Sequence, residues 1–182
     1  MLAGRLLVMS TTVISRSNML RSDLAELVTG VRAAVAEHAD WSQTARLVAE
    51  QLRLHLPTPD VLSAEQRLGS ADGYRSYTLH AEPDGSFSII GLVWRPGQVT
   101  RIHDHLTWCV FGVLQGIEHE ELFDESLSLL GTSDNRAGDV NGFAPPGDIH
   151  RVRNTGATTA ISIHLYGTDV TRVGSSVRRY YD

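Results

Sequence analysis

Several features are missing from this chain of 182 residues, and each absence narrows what it can do. There is no lysine, so all 16 basic residues are arginine, and 21 acidic residues bring the formal net charge to -5. This balance gives no electrostatic reason to expect a nucleic acid or an anionic membrane as a partner. No apolar run approaches the ~20 residues that a membrane-spanning helix needs.

Cysteine is also scarce, because Cys109 is the only one. A single cysteine excludes an intrachain disulfide framework and fits a reducing compartment. Residues 1–9 are apolar, but they are too few, and too poor in small residues, to read as a secretory signal. We therefore expect a cytoplasmic protein with one well-buried core, since the chain is too short to favour two.

Apolar residues recur at helical spacing from Leu20 to Val35 and again from Trp41 to Leu52. Asp40 and Gln43 have the form of a capping box for the second helix. The pattern predicts a weakly ordered leader followed by a single domain, in which helices precede a β-barrel. The expected bounds are 1–19 for the leader, 20–182 for the domain, 20–70 for its helices and 71–170 for its barrel.

From Tyr74 onward the pattern changes to short apolar or alternating runs, which are typical of strands. Turn-forming residues separate these runs, among them the stretch Gly131-Thr132-Ser133-Asp134-Asn135. Many short strands at this spacing favour a mainly β fold, either a barrel or a double-sheet jelly roll. The predicted strands are 74–81, 87–94, 110–114, 127–129 and 159–166.

Three histidines form the strongest candidate site. His103 and His105 are separated by one residue, so on a strand their side chains point to the same face. His150 follows a glycine- and proline-rich turn and can supply a third nitrogen. Three neutral imidazoles leave a divalent ion its full charge, which favours binding of an anionic sulfur. The spacing therefore predicts a metal site with open positions for a thiolate and O2.

The residues around these histidines resemble the paired motifs of the cupin superfamily. The second motif is complete, whereas in the first Cys109 stands where cupins usually have glutamate. The resemblance implies a double-stranded β-helix, or jelly-roll barrel, preceded by two or three short α-helices. The matching positions are Gly97, His103, His105, Cys109 and Gly116 in the first motif, and Pro145, Gly147, His150 and Asn154 in the second.

Three segments are similar to the cysteine dioxygenase family, whose bacterial branch includes 3-mercaptopropionate dioxygenases. They are 102–105, 147–154 and 162–167, within a resemblance that spans about 74–166. The resemblance implies Fe(II) bound by the three histidines and a relay of Ser162, His164 and Tyr166. Spacing alone supports the relay, because polar side chains at i, i+2 and i+4 share one face and need partners there. The alternative is an ordinary buried tyrosine.

In some animal members of this family the residue at the position of Cys109 is joined covalently to the relay tyrosine. The resemblance thus implies a possible Cys109–Tyr166 crosslink, and a buried inert thiol is the alternative. The residue that binds the substrate carboxylate is harder to assign. Animal enzymes have arginine, and mercaptopropionate enzymes glutamine, where this chain has Ser76.

Two arginines are further candidates for the carboxylate. Arg75 would face away from the site unless its strand is bulged. Arg101 stands two residues before His103 and is expected on the same side, where its fork could bind a carboxylate; an internal ion pair is the alternative.

We expect an iron-dependent thiol dioxygenase that adds both atoms of O2 to a small carboxylate-bearing thiol and yields a sulfinic acid. L-cysteine is the first candidate substrate and 3-mercaptopropionate the second. The expected partners are this thiol and O2, without nucleic acid or membrane, in a monomer or a homodimer. The alternatives are a non-catalytic ligand-binding cupin and a zinc- or manganese-dependent cupin isomerase.

Overall fold

Two helices open the part of the chain that the structure describes. The structure is a computed structural model, which describes the backbone of residues 16–181 and the side chains of residues 24–181. Helix α1 spans Arg16–Ala36 and α2 spans Trp41–Leu54. Most of the expected leader, residues 1–15, lies outside the described residues. Asp40 caps α2, because its carboxylate accepts a hydrogen bond from the Gln43 backbone N–H at 2.8 Å.

Two 3₁₀ turns, Pro59–Val61 and Gln66–Leu68, lead into ten strands, with a short helix, α3 (Val170–Val173), before the last one. The strands form two antiparallel sheets of five, in the orders β1-β2-β9-β4-β7 and β10-β3-β8-β5-β6. Their bounds are β1 Arg75–Ala81, β2 Ser88–Trp94, β3 His103–His105, β4 Cys109–Gln115, β5 Ile117–Phe123, β6 Leu129–Arg136, β7 Val140–Phe143, β8 His150–Arg153, β9 Ala160–Tyr166 and β10 Val177–Tyr180.

The central strands of the first sheet, β2, β9 and β4, are buried on both faces, which explains their apolar sequences. On β9, Ile161 and Ile163 point outward and pack in one cluster with Val31 of α1 and Leu52 of α2. The alternate residues of β9 point into the barrel instead. The helices therefore cover the outside of this sheet and leave its inner face for the site.

Gly116 makes the tight turn from β4 to β5. Its φ of +80° is a conformation that residues with a Cβ rarely adopt, and an added Cβ would lie 2.9 Å from the Ala160 Cα. Only glycine fits this turn without displacing the backbone of β9. The two facing antiparallel sheets form the double-stranded β-helix of cupins, as the sequence predicts.

One part of the strand prediction is wrong. The stretch from Gly131 to Asn135, predicted as a turn, lies inside β6 and pairs residue by residue with β5. The preceding Leu127 has a φ of 63° and lies in the turn before β6, not in a strand. This edge strand exposes most of its side chains, so its polar composition resembles a loop. Within residues 16–181, no helix is long and apolar enough to cross a membrane.

Candidate metal centre

The three histidines of the predicted site lie together inside the barrel. His103 and His105 occupy the two ends of β3, and His103 pairs in register with His150, the first residue of β8. One ring nitrogen of each lies within 4.8 Å of the others, and all three side chains are buried. The Nε2 atoms of His103 and His150 are 3.2 Å apart.

Each histidine has a partner for its Nδ1 atom, which leaves Nε2 to face the centre. The Nδ1 of His103 donates to the backbone carbonyl of Arg101 at 2.9 Å. The Nδ1 of His105 lies 3.2 Å from Asp148, and that of His150 lies 2.7 Å from Glu120. Such outer partners fix the tautomer and orientation of metal-binding imidazoles.

Sequence reasoning did not identify Asp148 and Glu120. Asp148 also accepts the His105 backbone N–H at 2.8 Å, so it holds both the ring and the chain of that residue. The available signal for Asp148 was its place inside the second cupin motif. No sequence signal marked Glu120, because an acidic residue in a strand usually faces solvent.

The electrostatics favour uncharged imidazoles. Burial, with the neighbouring His150 and His105, lowers the pKa of His103 to about 3. Burial also lowers the pKa of His105. Burial opposes ionisation of Asp148, but hydrogen bonds from His105 outweigh it and keep the pKa of this carboxyl below its usual value. Three convergent imidazole nitrogens with oriented rings, two of them with lowered pKa values, fit a divalent transition metal, because metal ligands must be deprotonated.

The histidines open onto a cavity of about 240 Å³. Ile90, Leu92 and Trp94 form an apolar wall, and the remaining polar lining consists largely of hydroxyl groups. The hydroxyl-bearing residues are Tyr74, Ser76, Thr78, Thr100, Tyr166, Thr171, Ser175, Ser176 and Tyr180. Among residues 24–181, no arginine side chain lines this cavity.

The three predicted relay residues form one hydrogen-bonded chain on the inner face of β9. The Ser162 hydroxyl lies 3.0 Å from the Nε2 of His164, and the Tyr166 hydroxyl lies 3.4 Å from its Nδ1. Burial lowers the pKa of His164 to about 3, so its ring is neutral and carries one N–H. The Tyr166 ring stacks on that of His105 with centroids 6.0 Å apart. The chain of hydrogen bonds thus ends beside the histidine centre.

Cys109 and Tyr166 are direct partners across β4 and β9. Both are buried, and burial raises the pKa of the thiol and of the phenol. Side chains of cross-strand partners lie on the same face with Cβ atoms about 4.5–5.5 Å apart. The thiol and the phenol ring therefore face the same region of the barrel.

Of the three candidate carboxylate-binding residues, only Ser76 lines the cavity. Arg75 lies outside it, where its guanidinium donates to the Ser70 hydroxyl at 2.9 Å. The bulge in β1 falls after Thr78, so it does not turn Arg75 inward. Arg101, expected on the ligand side, is not among the residues that line the cavity. Its guanidinium lies 4.5 Å from the ring centroid of Tyr180, at the rim of the cavity.

The last strand closes the site. Asp104, between the two histidines of β3, is fully buried and faces away from them. Its Oδ2 accepts hydrogen bonds from Arg178, from Arg179 at 2.8 Å and from the Tyr181 hydroxyl at 2.8 Å. These bonds hold β10 against β3, and Val177 and Tyr180 of β10 line the cavity.

Comparison with known proteins agrees with this geometry. Cysteine dioxygenase type 1 of Danio rerio is 35% identical over 109 residues, which are 52% of this chain and 52% of that protein. The chain thus spans about half the length of this curated relative. Among solved structures, a Klebsiella pneumoniae protein with a double-stranded β-helix domain matches with a TM-score of 0.48 and 17% identity, over 58% of this chain and 85% of that one.

A Lactobacillus farciminis oxalate decarboxylase, solved as a formate complex, matches with a TM-score of 0.46 and 17% identity, over 55% of this chain and 30% of that one. The family model described as cysteine dioxygenase type I matches residues 67–178, which include the three histidines and the relay. The chain therefore belongs to the cysteine dioxygenase type I family.

Proposed function

We propose that the chain is an iron-dependent thiol dioxygenase that converts a small carboxylate-bearing thiol to a sulfinic acid. The observation that carries this proposal is the convergence of three imidazoles, without a carboxylate among them, on a cavity bordered by the Tyr166 relay. In the reaction both atoms of O2 end on sulfur. The sulfur gives up four electrons and O2 takes them, so no further reductant is needed.

His103, His105 and His150 would hold the iron, with Asp148 and Glu120 fixing two of the rings. Iron bound there would supply positions for the thiolate and for O2 and would lower the pKa of the thiol. The Tyr166 hydroxyl, held by His164, is placed to hydrogen-bond the polar atoms of the substrate. The apolar wall around Leu92 excludes water from the reacting sulfur.

For the substrate, we propose L-cysteine first and 3-mercaptopropionate second. We propose that Ser76, which lines the cavity, hydrogen-bonds the carboxylate, and that Arg101, whose guanidinium lies against the cavity residue Tyr180, attracts it. Arg101→Gln is expected to raise KM about tenfold for carboxylate thiols and to leave the KM of cysteamine, which has no carboxylate, unchanged. Arg46→Gln, an exposed arginine on α2, is the matched control. An equal rise in KM for cysteamine would contradict this role.

Cys109 and Tyr166 carry a second proposal, a thioether between the thiol sulfur and the phenol ring. Forming it breaks one S–H and one ring C–H bond, and O2 takes up the two electrons and two protons. Their cross-strand pairing supports the proposal. Peptide mapping of the iron-loaded, thiol-treated protein should show a linked peptide that lacks two hydrogen atoms. An unmodified Tyr166 peptide from active protein would refute it.

An oxygen electrode tests the main proposal. The iron-loaded, full-length protein is expected to consume one O2 per thiol with cysteine or 3-mercaptopropionate, and mass spectrometry should identify the sulfinic acid. His105→Ala should lose both bound iron and oxygen uptake, whereas His119→Ala, a partly exposed histidine of β5, should keep them. Absence of oxygen uptake with every thiol would favour a ligand-binding cupin, and tightly bound zinc or manganese without oxygen uptake would favour an isomerase.

We also propose a cytoplasmic location, since ferrous iron and a free thiol persist in reducing compartments.

A further inference from the structure

One buried carboxyl group behind the relay has no role in the function proposed above. Glu118 lies on β5 and points into the barrel with 1% of its surface exposed. Neither of its carboxylate oxygens accepts a hydrogen bond from any described residue. A buried polar group without a partner is costly, and a buried acid costs more when it is ionised.

The groups around Glu118 belong to the relay. Its Oε2 lies 3.9 Å from the Nε2 of His164, across the barrel from β5 to β9. Ser162 and Trp94 are the nearby donors, but the Trp94 N–H donates to the Ser162 oxygen at 3.4 Å and Ser162 pairs with His164. Glu118 thus lies at one end of the relay and Tyr166 at the other.

A second group without a partner lies beside the first. Asn135 of β6 is the direct cross-strand partner of Glu118, so the two side chains share a face. Asn135 is buried, and its Nδ2 donates to no described residue, while its Oδ1 accepts from Asn141 at 2.8 Å. The amide donor of Asn135 thus lies without a partner beside two carboxylate oxygens of Glu118 that also have none. We read this arrangement as a polar position inside the barrel at Glu118.

The protonation of Glu118 would decide which way the hydrogen bonds run. A protonated carboxyl donates to Ser162, Ser162 then donates to the Nε2 of His164, and the Nδ1–H of His164 donates to Tyr166. The Tyr166 O–H is then free to donate into the cavity. An ionised carboxylate accepts from Ser162, so the Nε2–H tautomer of His164 is favoured, and Tyr166 donates to Nδ1. The phenol then presents only an acceptor to the cavity.

The protonated and the ionised forms of Glu118 are both populated near neutral pH. Burial raises the pKa of Glu118 to about 7 and the charge of Glu120 on the same strand adds to this, while the nearby donor groups of Ser162 and Trp94 oppose it. The other titratable groups near it are His164 and Tyr166 from β9 and Cys109 from β4, and the uncharged Asn135 from β6 shares its face.

We propose that Glu118 is the last member of the relay, a positioning residue whose protonation selects the His164 tautomer and hence whether Tyr166 donates to the cavity or accepts from it. The catalytic consequence rests on the proposed dioxygenase function, but the tautomer change does not. This separation allows the two to be tested independently.

The test is NMR of the full-length, zinc-loaded protein with ¹⁵N-labelled histidine rings, with the His164 signals identified by their loss in His164→Gln. Between about pH 5.5 and 8.5 the ionised fraction of a group with a pKa near 7 rises from roughly 3% to roughly 97%. We expect His164 to change from the Nδ1–H to the Nε2–H tautomer over this range. Glu118→Gln should hold one tautomer throughout, as should Glu118→Leu, the second variant in case the first does not fold.

Glu121→Gln is the matched control, because Glu121 lies on the same strand but pairs with Arg151 at 2.6 Å. It should keep the tautomer change. A His164 tautomer that is constant in the unmodified protein, or that still changes in Glu118→Gln, would overturn the proposal. Oxygen uptake is measured in parallel on the iron-loaded proteins. A tautomer change without uptake would support the Glu118 proposal while refuting the dioxygenase, and uptake without the change would do the reverse.

Discussion

Replacing Glu118 by glutamine should make the protein more stable, and the gain should depend on pH. The pKa of Glu118 is raised to about 7 by burial, from an ordinary value of 4.5. Because the folded state holds the proton more tightly than the unfolded state, ionisation destabilises the fold. The cost is absent below the unfolded pKa, grows as the pH rises through the interval between the two values, and is complete above the folded pKa. A shift of roughly 2.5 units corresponds to about 3 kcal/mol.

Urea denaturation of the two proteins in the same metal state, at several values between about pH 4.5 and 8.5, gives the difference in unfolding free energy. We expect the advantage of Glu118→Gln to increase by about 3 kcal/mol across this range. Glu121→Gln provides a control of opposite sign, because a hydrogen bond from Arg151 lowers the pKa of Glu121 and its ionisation stabilises the fold. A difference for Glu118→Gln that does not vary with pH would show that folding does not raise the pKa of this carboxyl, and would refute the reasoning.

Three further substitutions test the turn, the metal centre and the core. Gly116→Ala should lower the unfolding free energy by roughly 3 kcal/mol in urea denaturation, because its Cβ meets the backbone of Ala160 at a positive φ; an unchanged midpoint would contradict this. Asp148→Asn should weaken metal binding about 10- to 100-fold in a chelator competition, since His105 loses its charged partner; equal affinity would show that the ring needs no such anchor. Leu52→Ala should cost about 2–5 kcal/mol by calorimetry, because this leucine is fully buried between α2 and the first sheet, and a loss below about 1 kcal/mol would mean that the cavity collapses.

The sequence predicts most of the elements whose patterns are local. The second helix and the strands β1, β2, β4 and β9 are found within one or two residues of the expected bounds, whereas α1 begins at Arg16, four residues before the expected Leu20. The strand β6 was missed because an edge strand with one exposed face carries the same polar residues as a turn. The strand β10 was missed because it is short and contains two arginines, which are held by the buried Asp104.

Within the site, too, only residues with a local sequence pattern could be predicted. The spacing of His103 and His105 gives their shared face, so their convergence with His150 could be expected from the sequence. The carboxylates could not be found in this way, because Glu118 and Glu120 alternate as the solvent side of a strand would, yet they face the interior. Which face of a strand is buried is decided by the other sheet, and that information lies elsewhere in the chain.

Asp104 holds the cavity wall formed by β10, and β10 is synthesised after the three histidines. All three imidazoles are made before residue 151, whereas Arg178 and Arg179, which tie β10 to Asp104, are made later. The imidazole nitrogens of the three histidines can therefore converge before β10 is in place. An ion can then enter from the side that β10 later covers. Proteolytic cleavage before β10 would reopen that side and expose the histidines to chelators, while His103, His105 and His150 would all stay in the chain.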